Sequence, residues 1–281
     1  MVKIALVTDS TSDLDKETID KFDIKVLPLR IVYKDKEFID RVNITPKEVY
    51  DNLHIETPHT SLPSIQDIEN LFLELEIEKY THAIVVPISS GLSGTYNTLK
   101  LVSDSHPEII TTVFDSKSLT LGAGAIIIKC AELIESGKTY EEIIEMLPKI
   151  RDSISVFYIV DTLKYLIKGG RIGKVSGTVG ELLNIKPIIS IDSEGIYYTY
   201  AKVRGKKKAL SILFELSTDI LKSTKGRIWV MHGGAEEEGM KFYELFRNVE
   251  NITYLGFGDI SPVAGVHTGP GLIGVVTMKE I

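Results

Sequence analysis

The sequence predicts an α/β protein: an N-terminal, mostly parallel sheet with flanking helices, followed by a C-terminal α+β domain with a mixed sheet. Two patterns carry this reading. In the first half, short apolar runs rich in β-branched residues alternate with segments of helical spacing, and strands separated by helices argue for a parallel sheet. In the second half a strand–turn–strand pattern joins the helices: residues 186–191, the turn Asp192-Ser193-Glu194-Gly195, then residues 196–203. The chain has 281 residues, enough for one large domain or two ordinary ones. The expected boundary lies near residue 153, giving domains 1–153 and 154–281, with neither a low-complexity linker nor an internal repeat.

Taken in order, residues 2–7 read as a strand that ends in a polar loop at 9–13, and 14–22 as a helix. Residues 25–33 are extended, because Val26, Ile31 and Val32 favour a strand and Pro28 suits an edge position. Helices are expected at 46–53 and 65–78, the second capped by Ser64. Ala83 to Ile88 is apolar throughout and reads as a buried parallel strand. A helix follows at 96–102, a strand at 109–115, a long apolar helix at 120–136, and a helix at 140–151 capped by Thr139. Beyond the boundary, strands are expected at 155–160, 227–232, 252–257 and 272–277 besides the hairpin. Helices are expected at 162–167, 177–183, 206–221 and 236–246.

Ligands of parallel sheets lie beyond the carboxyl ends of the strands. The loops after Val7, Ile88 and Phe114 belong to that edge, and Ser89-Ser90-Gly91-Leu92-Ser93-Gly94-Thr95 is the most suggestive of them. Strand, Gly/Ser loop and helix together aim backbone N–H groups and a helix dipole at an anion. The loop lacks the Lys-Ser or Lys-Thr of a Walker A motif, and it is not the Gly-x-Ser-x-Gly elbow of a hydrolase. Thr60-Ser61-Leu62-Pro63-Ser64 sets three hydroxyls around a proline in an expected loop; a helix cap explains Ser64 and leaves Thr60 and Ser61 over. Near the C-terminus, Gly265-Val266-His267-Thr268-Gly269-Pro270-Gly271 holds three glycines and a proline in seven residues. That composition predicts a turning loop between two strands rather than a helix, with an imidazole and a hydroxyl at the rim of the core. A plain Gly-Pro turn is the competing reading.

Composition narrows the function. Hydrophobic residues are 43% and charged residues 25%, which gives a sizeable core. The apolar run after Met1 is too short for a signal peptide, and the longest apolar stretch, Ala123 to Cys130, is interrupted by Lys129. The single Cys130 allows neither an internal disulfide nor a cysteine zinc cluster, and the expected location is cytoplasmic. A net charge of −7 argues against nucleic acid as a general partner. Two basic clusters stand out: Lys202, Arg204, Lys206, Lys207 and Lys208, and Lys164, Lys168, Arg171 and Lys174. Each reads either as a solvated face or as a dock for an acidic partner or a phosphate. His54, His59, His82 and His106 read as structural, and His232 as ambiguous.

Five separated segments resemble the DegV family: Thr8-Asp9-Ser10-Thr11-Ser12-Asp13-Leu14, the Thr60 segment, Ile88 to Thr98, Asp161-Thr162-Leu163 through Gly169-Gly170-Arg171-Ile172, and the His267-Thr268-Gly269-Pro270-Gly271 run. They occur in the family's order and span nearly the whole chain. The resemblance implies a FakB-like protein that binds a long-chain fatty acid in a buried pocket between and within the two domains. It implies a carboxylate site at Thr60, Ser93, Gly94, His267 and Thr268, and a phosphate- or partner-facing side at Arg171, Arg204 and His267. It also implies no catalytic residue, metal or cofactor in this chain, and a partner ATP-dependent fatty acid kinase subunit. That partner would form an acyl phosphate for phospholipid synthesis, with transient membrane or acyltransferase contact. Leu62 stands where the family commonly has Gln. The residues leave two alternatives open: a serine hydrolase using Ser93, His267 and Asp115 or Asp259, and a stand-alone lipid carrier or sensor.

Overall fold

The computed structural model describes residues 2–175 and 184–281. The helix expected at 177–183 falls outside those residues. The first half runs β1 (Ile4–Asp9), a 3-10 turn (Ser10–Ser12), α1 (Lys16–Phe22), β2 (Lys25–Leu27), β3 (Arg30–Val32), β4 (Glu37–Ile39), α2 (Pro46–Asn52), β5 (His59–Ser61), α3 (Ile65–Ile77), β6 (His82–Val86), α4 (Thr95–Ser103), β7 (Ile110–Val113), α5 (Leu121–Glu135) and α6 (Tyr140–Asp152). Strands β2-β1-β6-β7 form a parallel four-stranded sheet. Its two faces are set by the period-two alternation of the strands. Ala5, Val7, Ala83 and Val85 pack against Ile68, Phe72, Leu75 and Leu99 of α3 and α4. Leu6, Ile84 and Val86 turn the other way, toward Ile126, Ile127 and Ile143 of α5 and α6. Burial on both faces is why β6 reads as apolar throughout.

The second half runs β8 (Ile154–Ile159), α7 (Lys164–Lys168), β9 (Ile185–Ile191), β10 (Tyr197–Arg204), α8 (Lys206–Ile220), β11 (Gly226–Gly233), α9 (Glu236–Glu244), β12 (Ile252–Asp259), α10 (Pro262–Thr268) and β13 (Leu272–Lys279). A six-stranded mixed sheet takes the order β10-β9-β8-β13-β11-β12, in which β11 and β12 are parallel. One face packs on α8 and α9 through Phe157, Ile188, Leu213, Val230, Phe242 and Ile273. The other presents Tyr158, Ile189, Trp229, Met231 and Val276 to the core that α5 occupies. Helix α5 therefore lies between two sheets, which accounts for its apolar sequence.

Three expectations change. Residues 25–33 are not one strand: the chain breaks at Pro28, β2 stays at the edge of the parallel sheet, and β3 becomes the centre of a small antiparallel sheet, β4-β3-β5. Thr60 and Ser61 lie in β5 of that sheet, opposite Ile31 and Arg30, rather than in a loop. Its residues are polar because β5 is a short edge strand, so the sequence carries little apolar signal. The third change is the Gly265 run, which is helical through Thr268. Ser261 caps α10 by accepting from the Ala264 N–H at 3.3 Å, and Pro262 opens the helix, where its missing N–H costs nothing. Gly265 serves close packing rather than turning, since a Cβ there would lie 2.8 Å from the Tyr50 hydroxyl of α2. Gly269 ends the helix in the left-handed region at φ 68°, and Pro270 follows it. The caps expected at Ser64 and Thr139 are both present as capping boxes.

Candidate functional site

Two loops at the carboxyl edge of the parallel sheet, those after β1 and β6, are tied together by one buried carboxylate. Asp9, at the end of β1, accepts from the Ile88 N–H at 2.7 Å through Oδ2, and from the Thr11 N–H and hydroxyl at 2.9 and 2.5 Å through Oδ1. Burial pushes its pKa up, against the pull of those donors. The loop after β6 then turns back on itself, Ser93 N–H donating to the Ser89 carbonyl at 3.1 Å. Ser93 Oγ lies 2.8 Å from Thr95 Oγ1 and accepts from the Thr95 N–H at 3.3 Å, so the hydroxyl is held at the start of α4 beside Gly94.

From the opposite side comes α10. Its first turn is held by carboxylates from the N-terminal half: Asp13 accepts from Ser261 N–H at 2.8 Å, and Asp40 from Val263 N–H at 3.1 Å. Asp40 also accepts the Ser10 hydroxyl at 2.6 Å, and Arg41 pairs with Asp13 at 3.0 Å. Burial raises Asp13 to about 7 despite Arg41, and Asp40 to about 6 despite Ser10. One turn further on, α10 delivers His267.

His267 Nε2 lies 2.8 Å from Thr60 Oγ1, while Nδ1 is buried with no partner. A buried N–H without an acceptor is costly, so the ring proton is assigned to Nε2, donating to Thr60. The Thr60 hydroxyl hydrogen is then free to donate onward. Burial, followed by the charge of Arg171, pushes His267 down to about 4, and the ring is neutral at pH 7. Gly169 is required beside it, because a Cβ there would lie 2.2 Å from Nδ1. Arg171 donates to the Gly169 carbonyl at 2.7 Å and, more weakly, to that of Leu92 at 3.5 Å.

These residues surround one pocket: Thr11, Thr60, Ser61, Leu62, Ser93, Arg171 and His267 line it with Leu29, Ile88, Leu92 and Val263. Leu119, Tyr197 and Ala264 form a wall that it shares with a second cavity, lined by Val156, Tyr158, Met231, Ile260, Leu272, Val276 and other largely apolar groups. Thr268 lies in that second cavity, its buried hydroxyl donating to the Ala264 carbonyl at 3.0 Å. Arg204 ends β10, exposed and outside both cavities. Gly94 sits at the N-terminus of α4, where a Cβ would be 3.5 Å from Leu62. The structure thus gathers Thr60, Ser93, His267 and Arg171, with Gly94 alongside, and sets Thr268 and Arg204 apart. The apolar stretch that begins at Leu119 was expected as a pocket wall, and Leu119 lines both cavities; sequence reasoning missed Tyr197, which carries no local motif. It also gave no separate role to Asp9 and Thr11, whose Asp-x-Thr spacing is the signal for the local turn they make.

The hydrolase geometry is not formed. Ser93 bonds Thr95 and His267 bonds Thr60; Asp115 accepts from Ser90 and the Lys117 N–H, and Asp259 faces Arg41. Within the basic clusters, Lys206 is paired with Asp161 and Glu238, and Lys174 with Asp192 and Glu194. No helix among the described residues is long and apolar enough to cross a membrane.

Comparison with known proteins gives one family. A family model described as uncharacterised protein, DegV family, matches residues 3–280. A DegV domain-containing protein of Clostridium acetobutylicum is 63% identical over 280 residues, covering 100% of both chains, and one of Clostridium perfringens is 44% identical over 281 residues with the same coverage. Among solved structures, a DegV family protein of Thermus thermophilus, described for its fatty acid binding, superposes with a TM-score of 0.93 at 29% identity over 99% of this chain and 100% of that one. DegV of Bacillus subtilis, described as a fatty acid binding protein, gives 0.91 at 31% identity over 100% of both. A stearic acid-binding protein of Eubacterium ventriosum gives 0.89 at 28% identity, covering 99% and 98%.

Proposed function

Because the chain belongs to the DegV family, we propose that it binds a long-chain fatty acid and is not itself an enzyme. The acid group enters the pocket of Thr60, Ser93 and His267, and the tail enters the neighbouring apolar cavity. The observation that carries this reading is the shared wall of Leu119, Tyr197 and Ala264: a pocket rich in hydroxyls opens beside a cavity that is almost wholly apolar. That is the polarity profile of a fatty acid. Burial of a sixteen-carbon chain offers roughly 10 kcal/mol before costs, so the tail supplies the affinity. The polar groups supply orientation, since a buried carboxylate without partners costs several kcal/mol. Thr60, freed to donate by the His267 N–H, and Ser93 are suited to that carboxylate, and neutral His267 adds no competing charge.

The further steps belong to the same reading. A partner ATP-dependent kinase phosphorylates the presented carboxylate, Arg171 lies where it can meet the new phosphate, and the acyl phosphate passes to acyltransferases of phospholipid synthesis. Thr268, bonded to its own helix, shapes the tail cavity instead of gripping the acid. The domains of 1–153 and 154–281 meet around the ligand, with α10 of the second completing the pocket of the first. The test is native mass spectrometry of the intact protein against its denatured mass. A non-covalent adduct of fatty-acid mass is expected. A clean mass, with no uptake from a fatty acid mixture, defeats the reading.

A further inference from the structure

Between β8 and β9 the ladder of the six-stranded sheet is interrupted. Strands β8 and β13 pair over six residues, from Ile159 opposite Ile273 to Ile154 opposite Met278, whereas β8 and β9 share one registered pair, Tyr158 opposite Ile189. Just beyond it, the Val156 carbonyl accepts the Ser190 hydroxyl at 2.8 Å, a side-chain bond where an intact ladder would carry backbone bonds. At this interrupted ladder lies a cleft lined by residues 154–157 of β8 and Ser190 and Ile191 of β9, which Gly122 of α5 and residues 116–118 also help to line, with Arg151 and Ser193 on its walls. Gly122 permits this closeness: a Cβ there would lie 2.1 Å from Ser118 Oγ and 2.6 Å from Val156 Cγ2.

The uncommitted groups of this cleft are mostly donors. Ser118, Ser155, Ser193 and Tyr198 line it, and their hydroxyls make no hydrogen bond among the described residues. Arg151 uses Nε on Asp152 and lies 5.4 Å from the Phe114 ring centroid, which leaves both terminal nitrogens of its fork. Lys117 is fixed by the Ser193 carbonyl at 2.6 Å, keeping a second positive charge at the cleft. The carboxylate of Asp192 is already satisfied by Lys174 and by the N–H groups of Glu194 and Ile196.

We propose that this cleft is a second binding site, separate from the acid pocket, for a small phosphate-bearing polyol. The planar fork of Arg151 matches a phosphate in two-point contact. The four hydroxyls match a polyol, and the interrupted ladder of β8 and β9 forms the cradle. The proposal does not depend on fatty acid binding.

Amide NMR titrations of the whole chain with glycerol phosphate, inorganic phosphate and glycerol test it. Glycerol phosphate is expected to saturate shifts at Ser118, Ser155 and Ser193 with Kd at or below about 1 mM, and more tightly than either fragment. Arg151→Met is expected to weaken it about tenfold, the loss of one charge-assisted contact. Tyr198→Phe, which keeps the ring, gives a second variant should Arg151→Met fold poorly. The absence of saturable shifts in the cleft, or binding unchanged in both variants, overturns the site. Inorganic phosphate binding as tightly as glycerol phosphate overturns the polyol assignment.

Discussion

Thr60 and His267 stand 207 residues apart in sequence and 2.8 Å apart in space, joining edge strand β5 to the last turn of α10. The contact turns an ordinary threonine into a directed donor, because the buried ring occupies the hydroxyl's acceptor side. Thr60→Val keeps the shape and removes the donor. Losing a hydrogen bond to a charged group costs about 1.5–3 kcal/mol, so fatty acid affinity is expected to fall about ten- to a hundredfold. The matching fatty alcohol, which carries no charge, is expected to lose much less. Paired titrations of acid and alcohol check this, and equal losses for both would remove Thr60 from the acid site.

Ser93 is expected to bind and not to react. Its hydroxyl is engaged with Thr95, and the imidazole of the same pocket, His267, is committed to Thr60. A fluorophosphonate probe should therefore leave the protein unlabelled, while Ser93→Ala should weaken fatty acid binding several-fold. Stoichiometric labelling that disappears in Ser93→Ala would restore the hydrolase.

Gly265 and Tyr50 should behave as a coupled pair. A methyl group at 265 would sit 2.8 Å from the Tyr50 hydroxyl, which is itself buried without a partner. Gly265→Ala is expected to destabilise the fold by about 1–3 kcal/mol, the usual cost of overpacking. Tyr50→Phe removes an oxygen that gains nothing where it is, so it should be neutral or mildly stabilising alone and should recover part of the loss in the double variant. Urea melts of the four proteins measure the coupling, and additive effects would mean that the two residues do not meet.

The residues that the sequence made legible are those whose roles are local. Strand β6 shows in its apolar run, the caps at Ser64 and Thr139 in their side chains, and the hairpin in its Asp192-to-Gly195 turn. Thr60, Ser93, His267 and Arg171 were reachable only because five motifs recur together in a family resemblance; no spacing in the chain announces that they share a pocket. Helix α10 was misread because Gly265 and Gly269 look alike in sequence. One is chosen for close approach to Tyr50 and the other for a left-handed backbone, and only the tertiary neighbour of each tells them apart. Tyr197 was invisible for the same reason, as the wall it makes with Leu119 and Ala264 joins three segments far apart in the chain.

The strongest pH dependence should come from the carboxylates that hold α10. Asp13 has no exposed side-chain surface, its Oδ2 has no hydrogen-bond partner, and among the described residues Arg41 is the cation that pairs with it. Its pKa of about 7 stands above the ordinary 3.8. Between these values the folded chain holds a proton that the unfolded chain releases. The stabilising contribution is therefore full below about 3.8 and is lost as pH rises through 7. Asp40, at about 6, acts with the same sign. His267 acts oppositely: at about 4 against an ordinary 6.5, the folded ring refuses a proton that the unfolded ring takes, so stability rises with pH across that window. Arg41→Met separates these effects. Without the cation, an ionised Asp13 is buried unpaired, and the variant should lose about 2–3 kcal/mol near pH 8, somewhat below the full cost of breaking a buried pair because Arg41 is partly exposed. Near pH 5 the proton on Asp13 makes the cation unnecessary, and the deficit should shrink to less than about 1 kcal/mol. Urea melts of both proteins at the two pH values decide it. An equal deficit at both would mean that Arg41 stabilises through packing of its stem and its contact with Asp259, not by holding the charge on Asp13.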